Sequence, residues 1–388
     1  MSTLSKVIGS ASLVGGLLGA AALGGATAQR LALLRYRELG QDRQPEGDFD
    51  GLERDRSYSV AAADGVALYV EEVGPADAPL TVVFSHGWTL RLGSWHFQRI
   101  ALAGHASSRS PSPLDSPSPP GSSSPPDLPP RPRLVFYDHR SHGRSSRATP
   151  GHSTIADLAL DLAAVIATAA PTGPLVLVGH SMGGMALLAL AGSNPGLFAD
   201  RVHGVALLST SASEAGATDG RWLQINGANP LLPIVAAAAA RYPRTFERGR
   251  RSGRDLVWLM TRSLGFADPQ VPAPLVDYLD RMISGTPIDV IAEFAPELFG
   301  HDQRDTVPAL SGIPTLIMVG DADRMTPPSR SRQIAEVLPG AELEVIPGAG
   351  HMAILEAPDV VNDALRRLLR RAWAHAAPPV GRAMQAES

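Results

Sequence analysis

The stretch "LVLVGHSMGG", residues 175–184, runs four apolar residues into a serine fenced by glycines and leaves in an alanine- and leucine-rich segment. Such a pattern reads as a strand buried on both faces that turns abruptly into a helix. Gly179 and Gly183 stand two residues to either side of Ser181, and Gly184 lets the helix begin close against the strand. A serine hydroxyl is a weak nucleophile at neutral pH. It becomes effective when a strained strand-to-helix turn presents its oxygen and a nearby imidazole takes its proton. Ser181 is therefore the candidate nucleophile, and the rest of the chain should supply its partners.

Working outward, "PLTVVFSHG", "RLVFYDHR", "VHGVALLST" and "IPTLIMVGDAD" repeat the continuous apolar run, and helix-like stretches such as residues 153–170 separate them. This alternation predicts an α/β fold: a mostly parallel central sheet flanked by helices. "SYSVAAADGVALYVEEVG" adds two β-rich runs around Asp64-Gly65, a hairpin signal that opens the sheet with an antiparallel pair. The core should occupy residues 52–212 and 308–375. Two segments interrupt it. Residues 104–132 are rich in proline and serine and almost free of large apolar residues, so they read as a disordered loop. Residues 213–307 read as helices without a clear buried strand, a helical cap over the edge where the strands end. Trp222, Phe246, Trp258, Met260 and Phe266 of that segment fit either an apolar pocket or ordinary cap packing.

The partners of Ser181 should follow later strands. "ELEVIPGAGHMAILE" gives a short strand, a Pro/Gly turn and His351, the candidate proton acceptor. "IPTLIMVGDADRMTPP" offers two carboxylates, Asp321 and Asp323, to orient it. Acyl transfer also builds negative charge on a carbonyl oxygen, which preorganised backbone N–H groups stabilise. The Trp88 N–H, in His86-Gly87-Trp88 after a strand, and the Met182 N–H, after the nucleophile, are the expected donors, with His86 bracing the loop.

Four motifs, His86 to Trp88, Asp138 to Ser145 (D-x-R-x-H-G-x-S), Gly179 to Gly184 and Gly348 to His351, together resemble the α/β-hydrolase superfamily. The resemblance covers residues 57–373 apart from the two interruptions. It implies an α/β-hydrolase fold with a helical cap insertion. In that family the acid follows a G-x-x-D-x-x-x-P pattern, which selects Gly320, Asp323 and Pro327 and leaves Asp321 second. The resemblance further implies a serine hydrolase acting on a carboxylic ester or lipid-like acyl substrate through an acyl-enzyme, with no metal or organic cofactor. Similar proteins also act as cofactor-free haloperoxidases or perhydrolases, and a third reading is a non-catalytic membrane-tethered binding module.

Composition narrows the classes. The chain has 388 residues, a net charge of −4 and no cysteine, which leaves no disulfide framework or thiol chemistry. No basic patch interleaved with aromatics suggests nucleic acid. Val7 to Ala28 carries no charge and as a helix would span about 33 Å, close to the ~30 Å hydrocarbon thickness. With Arg30, Arg35 and Arg37 after it, the segment predicts a membrane anchor that keeps the catalytic domain cytoplasmic. A cleaved signal ending near Ala26-Thr27-Ala28, giving a secreted protein, and a soluble surface helix are the alternatives for residues 1–40.

Overall fold

The computed structural model describes residues 51–104, 131–213 and 241–376, together with residues 30, 34–36, 38, 49, 238 and 239. Among them, eight strands form one sheet: β1 (Arg56–Ala61), β2 (Ala67–Val73), β3 (Thr81–Ser85), β4 (Arg133–Tyr137), β5 (Leu175–His180), β6 (Val202–Leu208), β7 (Thr315–Gly320) and β8 (Glu342–Ile346). Their order across the sheet is β1-β2-β4-β3-β5-β6-β7-β8. The pairs β1–β2 and β2–β4 are antiparallel, and every pair from β4 to β8 is parallel. This is the mostly parallel α/β sheet that the alternating apolar runs predict, in the arrangement that the α/β-hydrolase resemblance implies.

Period-two geometry explains why the runs are apolar throughout. Phe84, Phe136, Val178 and Leu208 point into one hydrophobic cluster, while Val83, Val135, Leu177 and Leu207, one residue away on the same strands, point into the other. The first face is covered by α1 (His96–Leu102) and a long C-terminal helix, the second by α2 (Ile155–Ala169) and α3 (Met182–Ser193). Thr154 and Asp157 close a capping box at the start of α2, which fixes where that helix begins.

Among the described residues between β6 and β7 lie the α-helices α4 (Pro243–Ser252), α5 (Arg254–Gly265), α6 (Ala273–Gly285) and α7 (Ile288–Gly300). The ends of this insertion meet: Ser213 bridges Asp302, and Gln303 N–H donates to the Ala212 carbonyl at 2.6 Å. Side chains lock α7 to the core, with Arg147 donating to Asp289 at 2.6 Å and Ser153 to Glu293 at 3.0 Å. Residues 214–237 of the expected cap, Trp222 included, lie outside the described residues. Trp258 and Phe266 are 5% and 3% exposed and pack in the core, while Phe266 and Met260 also line an opening beside Arg262 and Arg324. The proline- and serine-rich residues 105–130 also lie outside the described residues. Their flanks sit near each other before β4, at the ends of the parallel strands where the chain enters the sheet.

The expectation of a membrane anchor is corrected. Among the described residues no helix is long and apolar enough to cross a membrane, and the membrane-associated placement is withdrawn on that finding. Residues 7–28 themselves lie outside the described residues.

Candidate active site

Parallel strands gather their exit loops at one edge of the sheet, and here three such loops and one turn converge. Ser181 follows β5 directly and adopts φ 51°, ψ −119°, a conformation that non-glycine residues rarely take. The turn is held by hydrogen bonds on both sides. Ser181 N–H donates to the Leu208 carbonyl at 3.0 Å, and the Thr210 hydroxyl donates to the Ser181 carbonyl at 2.7 Å. Gly183 must lack a side chain, because a Cβ there would stand 2.1 Å from the Ser85 carbonyl oxygen. The motif glycine is thus explained by close approach of β3 to the start of α3.

The carboxylate and the imidazole meet as expected. His351 Nδ1 lies 2.9 Å from Asp323 Oδ2 and 3.1 Å from Oδ1. Asp323 is 3% exposed and accepts, in addition, the N–H groups of Met325 and Thr326 at 2.9 Å and the Thr326 hydroxyl at 2.9 Å. Burial alone would raise this carboxyl. The neighbouring imidazole and the ring of donors outweigh it and hold the group below its ordinary value. An ionised acceptor at Nδ1 keeps the ring proton there and leaves Nε2 as the basic nitrogen. Asp321, two residues earlier, is exposed and accepts the Gly348 N–H at 2.8 Å. The tight turn after β7, in which Asp323 N–H returns to the Gly320 carbonyl, separates two side chains that an extended segment would have aligned.

His180, beside the nucleophile, ties β5 to the histidine loop: its Nε2 donates to the His351 carbonyl at 3.1 Å, with the rings 5.0 Å apart. Among the described residues no hydrogen bond joins the Ser181 hydroxyl to the ring. Trp88 follows His86 and Gly87 beyond β3. Neither its N–H nor that of Met182 has an acceptor among the described residues, so both donors are open. His86 is fully buried; its Nε2 accepts the His139 N–H at 3.0 Å and its Nδ1 donates to the Gly87 carbonyl at 2.8 Å. That bracing role matches the expectation for His86.

One residue was not legible beforehand. Glu356 accepts the N–H groups of Ala267 at 2.8 Å, Asp268 at 2.6 Å and Gly350 at 2.5 Å. It therefore clamps the loop carrying His351 to the segment between α5 and α6. Burial pushes its carboxyl up in spite of the three donors. A single glutamate five residues past a histidine carries no local pattern, so only the tertiary contact reveals it.

The family described as alpha/beta hydrolase fold matches residues 81–358, most of the chain and all four loops of this site. The chain belongs to that family. It is an enzyme of the α/β-hydrolase superfamily, of general hydrolase class. Among known proteins it is 28% identical over 247 residues to a protein assigned as carbamate hydrolase RutD from Variovorax paradoxus, covering 63% of this chain and 84% of the relative. It is 25% identical over 310 residues to the non-heme chloroperoxidase of Streptomyces lividans, covering 78% and 96%. Among solved structures, a thermophilic esterase from Thermogutta terrifontis superposes with a TM-score of 0.60 at 25% identity, covering 82% of this chain and 99% of the esterase.

Proposed function

We propose that the protein is a serine hydrolase that cleaves a carboxylic ester or lipid-like acyl substrate through an acyl-enzyme. The observation that carries this reading is the buried Asp323–His351 pair beside a strained Ser181. His351 Nε2 removes the hydroxyl proton as Ser181 Oγ attacks the carbonyl carbon. Asp323 keeps the proton on Nδ1 and stabilises the imidazolium that forms. The open N–H groups of Trp88 and Met182 receive the oxyanion, a contribution of about 3–4 kcal/mol per donor in comparable sites. The imidazolium then protonates the leaving alcohol, and water, activated by His351, releases the acid. A series of p-nitrophenyl esters of increasing acyl length tests the proposal. Turnover with at least one member, reduced about 10³-fold or more in Ser181→Ala, supports it; equal rates in both proteins would remove Ser181 from the reaction.

A second reading uses the same groups. If hydrogen peroxide replaces water at the acyl-enzyme, the product is a peracid, as expected of a haloperoxidase-like enzyme. The chloroperoxidase of Streptomyces lividans, matched over 96% of its length, favours testing it. Peracid formation from acetate and peroxide that exceeds ester hydrolysis would select this reading over the first.

A further inference from the structure

The turn that carries the Trp88 N–H is built on a residue unsuited to it. Leu90 N–H donates to the Gly87 carbonyl at 3.2 Å, which closes a four-residue turn, and Thr89, at the third position, has φ 63°. Glycine or asparagine is the usual choice there, and a β-branched residue in the left-handed region is an outlier. Thr89 keeps that conformation only where its surroundings hold it.

Its polar groups account for the holding. The Thr89 N–H donates to His142 Nε2 at 3.2 Å, whose Nδ1 donates in turn to the Arg140 carbonyl at 2.9 Å. The Thr89 hydroxyl donates to the Trp88 carbonyl at 2.6 Å. The Thr89 carbonyl is gripped from the insertion. Thr286, immediately after α6 and 2% exposed, donates its hydroxyl to that carbonyl at 3.1 Å, and its own N–H is tied to the Ile283 carbonyl at 3.2 Å.

A peptide group is planar, so fixing its carbonyl also fixes its N–H. The Thr89 carbonyl and the Leu90 N–H belong to one peptide, and the Gly87 carbonyl, which accepts that N–H, shares its own peptide with the Trp88 N–H. A chain of two peptides therefore runs from the Thr286 hydroxyl to the N–H proposed to receive the oxyanion. Along such a chain each hydrogen bond polarises the next, so the last donor is strengthened as well as aimed. We propose that Thr286 is a positioning residue for the reaction, through which the insertion sets the direction and donor strength of the Trp88 N–H. This inference rests on the serine hydrolase reading. Tyr278 of α6 also donates to the same loop, to the Gly93 carbonyl at 2.6 Å, but beyond the turn and outside the chain of two peptides.

Kinetics with a p-nitrophenyl ester, affinity for a trifluoromethyl ketone of matching chain, and melting temperature test this in Thr286→Val, Thr286→Ser and Tyr278→Phe. The ketone adds to the serine as an oxyanion and so reads the same donors as the transition state. Thr286→Val should lower kcat/KM and weaken the ketone by the same factor, about tenfold, less than the ~10²–10³-fold loss that follows removal of an oxyanion donor itself. Thr286→Ser, which keeps the hydroxyl, should restore both. Tyr278→Phe should lower the melting temperature and leave both constants close to those of the unmutated protein. Native kcat/KM in Thr286→Val, a loss that serine does not restore, a ketone affinity that stays constant while kcat/KM falls, or an equal loss in Tyr278→Phe would each overturn the assignment. An unmutated protein that turns over no ester and whose Ser181 resists a fluorophosphonate would instead remove the hydrolase reading, and this inference with it.

Discussion

Ser181 is held at φ 51° by the same turn that exposes its oxygen, so local backbone strain accompanies the candidate chemistry. Such conformations cost of order 1–3 kcal/mol for a residue with a Cβ. Ser181→Gly should therefore raise the urea midpoint relative to Ser181→Ala, by about 1 kcal/mol in stability; an alanine variant as stable as the glycine variant would show that the turn is relaxed. The two aspartates make a sharper comparison. Asp323→Asn should leave the ring proton misplaced and lower turnover about 10³–10⁴-fold, as in other sites of this geometry. Asp321→Asn removes only an exposed acceptor for the Gly348 N–H and should change turnover little. The reverse order in a kinetic assay would transfer the orienting role to Asp321. Sequence spacing left both carboxylates in play, and only the turn after β7, which aims one at the imidazole and the other at a loop amide, separates them.

At the scale of elements, strand exits and the hairpin were legible because each depends on local sequence: apolar runs of five or six residues, Asp64-Gly65, and glycines at Ser181. The anchoring of the histidine loop was not, because the bonds from Glu356 to Ala267 and Asp268 join residues 89 and 88 positions apart. Glu356 joins Gly350 to Ala267 and Asp268, and Met352 N–H donates to the Gly265 carbonyl at 2.8 Å. Glu356→Ala should leave three N–H groups without their acceptor and lower stability by about 2–4 kcal/mol. It should also reduce kcat about tenfold or more by loosening His351. Glu356→Gln, which keeps one oxygen, should fall between. Calorimetric unfolding together with kcat for both variants checks this; a Glu356→Ala protein with native kcat would make the clamp irrelevant to the site. The aromatic residues of the insertion show where local sequence left two readings open. Trp258 packs in the core, whereas Phe266 both packs there and lines an opening, and neither outcome can be assigned before the neighbours of each helix face are known.

For the whole molecule, the four histidines that brace the strand exits contribute a fall in stability toward acid pH. Burial lowers His86 well below its ordinary value, His139 and His180 to about 3, and His142 to about 4. A base depressed in the folded state stabilises the fold fully above its unfolded value near 6.5, and this contribution is lost as pH falls toward the folded value. Each group contributes a slope of up to about 1.4 kcal/mol per pH unit. Asp138, which burial pushes up to about 6, and the raised Asp161 and Glu356 carboxyls bind protons in the folded state over the same range and offset part of this slope. Stability should still drop below pH 6, as unfolding followed by circular dichroism would show. A flat urea midpoint from pH 7 to pH 4 would contradict it.

Everything proposed for the reaction rests on one claim, that Ser181 is a nucleophile activated by His351. Incubating the protein with a fluorophosphonate and reading intact and peptide masses tests it most directly. The account predicts a single adduct on the peptide containing Ser181, absent in Ser181→Ala and strongly slowed in Asp323→Asn. An unmodified protein, or an adduct on any other residue, would contradict it.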